Sequence, residues 1–213
     1  MKIGLLSAPS ILGLRPPAPT SVPGCAKAPE ALREAGLYRR CGPRSLRNQV
    51  AIIEHARLSP YFSPEDTVHA GCRDDDEGLN EVTALLGAVL PAAQIRQLRV
   101  EQAARKILDV TDRAGLDGYW IHLDVDILDP SVMPAVDGPD PGGLGAAELT
   151  GLLADLAPRA AGAHVTVFDP DLDPDGSHAL LLANIIVEGL GPLGRDRRYS
   201  STERNASSRA ASA

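Results

Sequence analysis

The sequence predicts an α/β fold with a mostly parallel sheet, on three observations. Short apolar runs of strand character alternate with stretches of helical periodicity. The clearest strand, 118–125 (GYWIHLDV), opens into a long Pro/Gly loop that runs to Gly145. Hydrophobic residues make up 44% of the 213 residues and aromatic residues only 3%, so the core must be built mainly from Leu, Ile, Val and Ala. Strands alternating with helices indicate βαβ units, with helices packed on both faces of the sheet.

The elements follow in order. Residues 2–8 (KIGLLSA) read as a buried strand, and the Pro/Gly-rich stretch 9–29 as mostly loop. Pro29 opens a short helix through EALREAGL that closes near Gly36. Residues 45–58 carry helical spacing at Leu46, Val50, Ile53 and Arg57, and 59–66 is a break. Residues 67–71 form a short strand, and 73–77 an acidic turn followed by a helix through about Leu90. Residues 95–98 are a further strand candidate, and 101–113 a helix on the spacing of Ala104, Ile107, Leu108 and Val110. After the 118–125 strand and its loop come a helix over 146–156, a strand over 164–168 and an apolar helix over 178–190. One domain over 1–190 and a polar tail over 191–213, disordered beyond its first residues, is the organisation expected. There is no internal repeat.

Composition excludes several classes. The 21 basic and 28 acidic residues leave a net charge of −7, a field that does not attract phosphate backbones and speaks against a nucleic-acid partner. No apolar run approaches the ~18 residues of a membrane span, so no membrane partner is expected. Cys25, Cys41 and Cys72 are odd in number and form no CxxC pair, which fits reduced thiols in a cytoplasmic protein. The first residues read more easily as a strand than as a cleaved signal.

In parallel α/β sheets, ligands bind at the carboxyl ends of the strands. Those ends lie just after Ala8, Gly71, Leu123 and Phe168. Asp124, Asp126 and Asp129 stand at the third of them. On an extended strand Asp124 and Asp126 project to one face with Cα atoms about 6.6 Å apart. Two ionised carboxylates that close repel each other unless a cation lies between them, and hard divalent ions take oxygen ligands. A bare D-x-D supports a plainer reading as well, one Asp capping the turn and the other facing water.

The surroundings decide between the two. The run DVDILDPSVMPAV followed by GGL resembles the arginase/agmatinase (ureohydrolase) signature, in which S-x-D-V-D-x-x-D-P precedes a Pro-rich loop ending G-G-L. APSILGLRPPAP, PEALREAGL, GCRDDDE and VTVFDPDLDPDG resemble further family segments, so the likeness covers residues 1–190. It implies a three-layer α/β/α, arginase-like fold and a manganese-dependent hydrolase of linear guanidino or amidino C–N bonds. It also implies a small guanidino-type substrate and a possible homo-oligomer. Carried over by position, Asp124 bridges two Mn2+ ions and Asp126 binds one of them. The usual Ser is His122 here, Asp129-Pro130 braces the loop, and Gly142 and Gly143 permit a tight turn.

The chain also departs from the family. Its remaining ligands come from G-G-D-H and D-A-H-x-D motifs, and neither occurs in this sequence. They belong between the 45–58 helix and the strand at Thr67, where the chain passes directly through SPYFSPED. This implies an internal deletion near 58–62, with part of the fold's interior missing, since one βαβ unit takes about 30 residues. Of six ligand positions those of Asp124 and Asp126 remain, so metal binding should be weak and turnover absent or impaired; the alternative is a non-catalytic homologue acting as a binding or oligomer partner. Where arginases place a Glu near the last strand, Asp169 is the available acid.

Weaker signals have plainer readings. Asp171, Asp173, Asp175 and Gly176 mimic the start of an EF-hand loop, but Leu182 stands at the twelfth position, so a turn capping the His178 helix is expected. His122 is expected to be a hydrogen-bonded core histidine, and His55 and His178 surface residues. The 74–77 acids suit a helix N-terminus, with Arg73 facing the site or pairing with one of them. The tail arginines are read as solvated.

Overall fold

The structure, a computed structural model, describes residues 24–37, 63–76, 79–116 and 118–196. The expected strand over 2–8, helix over 45–58, junction near 58–62 and tail beyond Asp196 lie outside the described residues, as do Cys41 and His55.

Helix α1 (Ala28–Glu34) begins with Pro29 in its first turn, where a missing N–H costs no hydrogen bond, and buries Leu32. Strand β1 (Val68–Ala70) leads into the acidic turn. Helix α2 (Leu79–Leu85) is shorter than expected, because the chain breaks at Gly87 and 88–90 form strand β2 (Ala88–Leu90). The apolar run AVL is thus paired as a strand, not carried on as helix. Residues expected as a strand near Ile95 form helix α3 (Ala92–Leu98) instead. Here Ala92 and Ile95, three residues apart, are both buried, and the AAQIRQL stretch is rich in helix-favouring residues. Arg99, at φ +68°, separates α3 from helix α4 (Val100–Thr111). Strand β3 (Trp120–Asp124) ends before the expected Val125, and a 3-10 turn (Val125–Ile127) follows directly. Helix α5 (Ala146–Leu156), strand β4 (Gly162–Thr166) and helix α6 (Ser177–Gly189) complete the order close to where periodicity places them.

All described pairing is parallel. Strands β1 and β2 pair with Val68 opposite Ala88, and β3 and β4 with His122 opposite His164. Among the described residues these are two separate two-stranded sheets. Helices join them. Leu149 and Leu153 of α5 pack in a core with α1, α6 and the β3 residue Leu123, while Leu152 and Leu156 pack in a second core with α3, α4 and β2. Two faces of one helix, at i, i+3 and i+4 spacing, thus seal both cores. Ile121 and Ile127 lie against both. Each fully buried Leu or Ile contributes about 1.5–3 kcal/mol.

No described helix is long and apolar enough to cross a membrane. The first tail residues are held against the domain, with the Gly194 and Asp196 amides donating to Ala157 and Pro158 carbonyls at 2.8 and 2.7 Å.

Candidate metal centre

Strand alternation fixes the starting geometry. Ile121 and Leu123 turn toward the core, and Trp120, His122 and Asp124 toward the opposite face. Asp126 is not on the strand. The 3-10 turn after Asp124 swings it back, so the two carboxyl groups meet within hydrogen-bonding reach. The expected pairing is present, but the turn makes it.

The pair is poorly solvated. One carboxylate oxygen of Asp124, Oδ1, is buried with no hydrogen-bond partner among the described groups. Burial raises the Asp124 pKa; the backbone and side chain of Asp126 oppose this, and Asp137 adds to it. Burial and then the neighbouring Asp124 push the Asp126 pKa up to about 7. Two acids forced together in a desolvated site retain one proton between them or take up a cation. An orphaned buried oxygen beside a second carboxyl is the donor set a hard divalent ion would satisfy, so the residues present fit one.

Two arginines fix the loops around the pair. The Arg73 guanidinium donates to the carbonyl oxygens of Gly71, Asp126, Leu128, Asp140 and Pro141. Among the described residues no ion pair joins it to a neighbouring acid; Asp76 instead accepts the Arg73 backbone amide at 2.8 Å and closes the acidic turn. Arg96 donates from α3 to the Gly142 and Gly143 carbonyls. Periodicity could not signal these clamps, because their partners are main-chain atoms distant in sequence.

Asp129 braces the loop. It accepts the Ser131 amide and hydroxyl and, at 2.9 Å, the Gly142 amide, which hold its pKa down at about 2. Gly142 adopts φ +91°, and a Cβ at Gly143 would sit 2.5 Å from Leu128 and Asp129 backbone atoms. The tight turn therefore needs both glycines.

The remaining candidates lie elsewhere. Asp169 is wholly buried, and its carboxylate accepts the Gly24 and Asp171 amides at 2.9 Å each, so it ties down the loop before α1 and is not free to meet a substrate. Two residues before it, Val167 is a β-branched residue at φ +76°, and its carbonyl accepts the buried Cys25 thiol at 3.1 Å. Burial, then Asp169, Asp137 and Asp124, push the Cys25 pKa up to about 12.

Asp173, Asp175 and His178 form a partial ligand group whose atoms lie within 4.8 Å of one another. Asp173 caps α6 as expected: it accepts the His178 and Ala179 amides at 3.1 and 2.8 Å. It also contacts His178 Nδ1 at 3.0 Å, so His178 is a half-buried, partnered residue and not a free surface one. His122 differs from the expected core histidine. It is exposed, and its hydrogen bond is to His164.

Fold and site together define an α/β protein with parallel strands and an acidic pair at a strand's carboxyl end, the position where such sheets bind ligands. The Arginase family profile matches residues 44–191, so the chain belongs to the arginase family. The mitochondrial arginase 1 of Arabidopsis thaliana is 37% identical over 75 residues, which are 35% of this chain and 22% of that protein. The hepatic arginase of Aquarana catesbeiana is 33% identical over 105 residues, 47% of this chain and 32% of that one. The matched stretches thus span well under half of either relative's length. An arginase structure from Bacillus subtilis superposes with a TM-score of 0.72 at 19% identity, covering 90% of this chain and 98% of that one, a likeness of fold.

Proposed function

We propose that this chain is a ureohydrolase relative that keeps one strand's share of a divalent-cation centre and, as written, does not complete a hydrolytic one. The observation that carries this reading is the Asp124–Asp126 pair, two half-buried acids brought together by the 3-10 turn, with the orphaned Asp124 Oδ1. Asp124 and Asp126 would hold the ion, Mn2+ by family resemblance. A bound divalent ion supplies Lewis-acid activation of water and of the scissile carbon's substituents. Arg73 and Asp129 hold the turn and loop from which the acids project. A linear guanidino or amidino C–N bond is the substrate class that membership of the family implies.

A catalytic metal site fixes three or more protein ligands around an open position. One strand and its turn offer two, and the motifs that would add the rest are absent from the sequence. Binding is therefore weak, and turnover falls below detection. The Asp173, Asp175 and His178 group does not fill the gap, because the Asp173 carboxylate is already occupied by helix amides. The same reading takes 1–190 as the domain with an internal deletion near 58–62, 191–213 as a tail, and the reduced Cys25 and Cys72 as marks of a cytoplasmic location. Self-association would cover surface that the missing elements leave open.

The test is a urea-release assay with added Mn2+ on arginine, agmatine and other guanidino compounds, beside a calorimetric Mn2+ titration. No turnover and no submicromolar binding are expected. Turnover abolished by Asp126→Ala would overturn the reading and show that other residues supply the missing ligands.

A further inference from the structure

The outer face of the β3–β4 pair carries a second constellation of donor atoms. His122 and His164 are direct partners in the parallel register, so their side chains leave neighbouring strands on the same side. Both are exposed, their ring centroids lie 4.3 Å apart, and His122 Nδ1 is hydrogen-bonded to His164 Nε2. Trp120, 52% exposed, lies over Gly162, where a Cβ would meet its ring at 2.2 Å. From there its indole Nε1 donates to His164 Nδ1 at 2.6 Å.

These bonds set the tautomers. An indole N–H only donates, so His164 Nδ1 accepts, and in the neutral ring Nε2 carries the hydrogen. That hydrogen is directed at His122 Nδ1. Desolvation of the ring and the neighbouring His122 hold the His164 pKa below the ordinary histidine value. Two imidazoles with converging nitrogens are a chelate for a borderline transition ion, which prefers nitrogen where Mn2+ and Mg2+ prefer oxygen.

We propose that His122 Nδ1 and His164 Nε2 form a two-imidazole site for a borderline divalent cation such as Ni2+, Cu2+ or Zn2+, with Trp120 as its intramolecular competitor. A cation at His164 Nε2 needs that nitrogen's lone pair. The ring must then carry its hydrogen on Nδ1, which can no longer accept from the indole. Cation binding and the Trp120–His164 hydrogen bond exclude each other, and water completes the coordination shell. The site shares a strand with Asp124 but differs from the acidic pair in ligand chemistry, so the two select different ions.

The test titrates the untagged full chain with NiCl2 by calorimetry, and with fluorescence of Trp120, the chain's single tryptophan. One saturable equivalent, accompanied by a change in Trp120 emission, is expected. His164→Gln and His122→Gln should each weaken Ni2+ binding by at least about tenfold, as loss of a ligand or of its support does. Trp120→Phe should tighten it about two- to tenfold, the worth of one hydrogen bond released from competition. Asp126→Asn should leave it unchanged. Thermal unfolding of each variant separates lost ligation from lost fold, and the Trp120→Phe gain cannot arise from misfolding. Absence of saturable binding, equal affinity in His164→Gln, or loss in Asp126→Asn alone would overturn the proposal; so would weakening in Trp120→Phe.

Discussion

Arg73 Nη2 donates to the main-chain oxygen of Asp126 at 2.9 Å, across 53 residues of sequence. The same guanidinium holds four further carbonyl oxygens, so one side chain ties the end of β1 to the turn that presents the acid pair. Truncation leaves several carbonyls without a donor. Arg73→Ala is expected to lower stability by about 2–4 kcal/mol, since each abandoned partly buried group costs about 1–3 kcal/mol and some regain water. Arg73→Lys should recover only part of this, because an ammonium cannot fork across the same acceptors. Urea unfolding midpoints measure both; an unchanged midpoint in Arg73→Ala would remove the clamp from the account.

The acid pair makes stability depend on pH in an unusual direction. The fold raises the Asp126 pKa from the ordinary value of 3.8 to about 7 and so favours its protonated form. That contribution is fully present below the unfolded-state pKa and is lost as pH rises through about 7, because the unfolded chain then binds fewer protons than the folded one. The stability difference between the parent chain and Asp126→Asn should shift toward the variant as pH rises from 4 to 8, a window of about 4 units set by this linkage. Asn keeps a donor for Asp124 and has no charge to gain. A pH-independent difference in unfolding free energy would contradict the raised Asp126 pKa.

Asp173 should matter to the fold more than to any metal. Its carboxylate serves two amides at the start of α6 and His178 Nδ1, with its side chain only 1% exposed. Asp173→Ala is expected to cost about 2–3 kcal/mol, combining a lost helix cap with buried groups left unpaired. Helix content and thermal unfolding by circular dichroism report it.

The loop after the acid pair leaves no space for a side chain. A Cβ at Gly143 would approach Leu128 and Asp129 backbone atoms to 2.5 Å, and backbone cannot rotate aside as a side chain can. Gly143→Ala should cost about 1–3 kcal/mol as an overpacked site. For a chain of this size that lowers Tm by about 2–4 °C per kcal/mol. An unchanged Tm would show that the loop yields freely.

The alternation of strands and helices, the helix over Ala146–Leu156 and the one over Ser177–Gly189 were legible in the sequence, because periodic burial is a local pattern. Asp124, Asp126 and Asp129 stood out by type and spacing, and the motif around them carried the family. The short elements were misread where local pattern and partner disagreed. Residues 88–90 became a strand because β1 offers a parallel partner, and 92–98 a helix that buries Ala92 and Ile95 on one face.

The tertiary structure alone decided how the acids meet, which acids are already committed, and what lies beside them. Asp126 reaches Asp124 through a 3-10 turn held by Arg73, a contact set by main-chain oxygens that carry no sequence signature. Asp169, the acid available near the last strand in sequence, is occupied by backbone amides in the fold, and Asp173 caps the helix as expected of its turn. His122 and His164 lie 42 residues apart and become neighbours only through the β3–β4 register. Residue type fixes which atoms can donate or coordinate; which of them remain available depends on contacts between distant segments, and those form only when the chain packs.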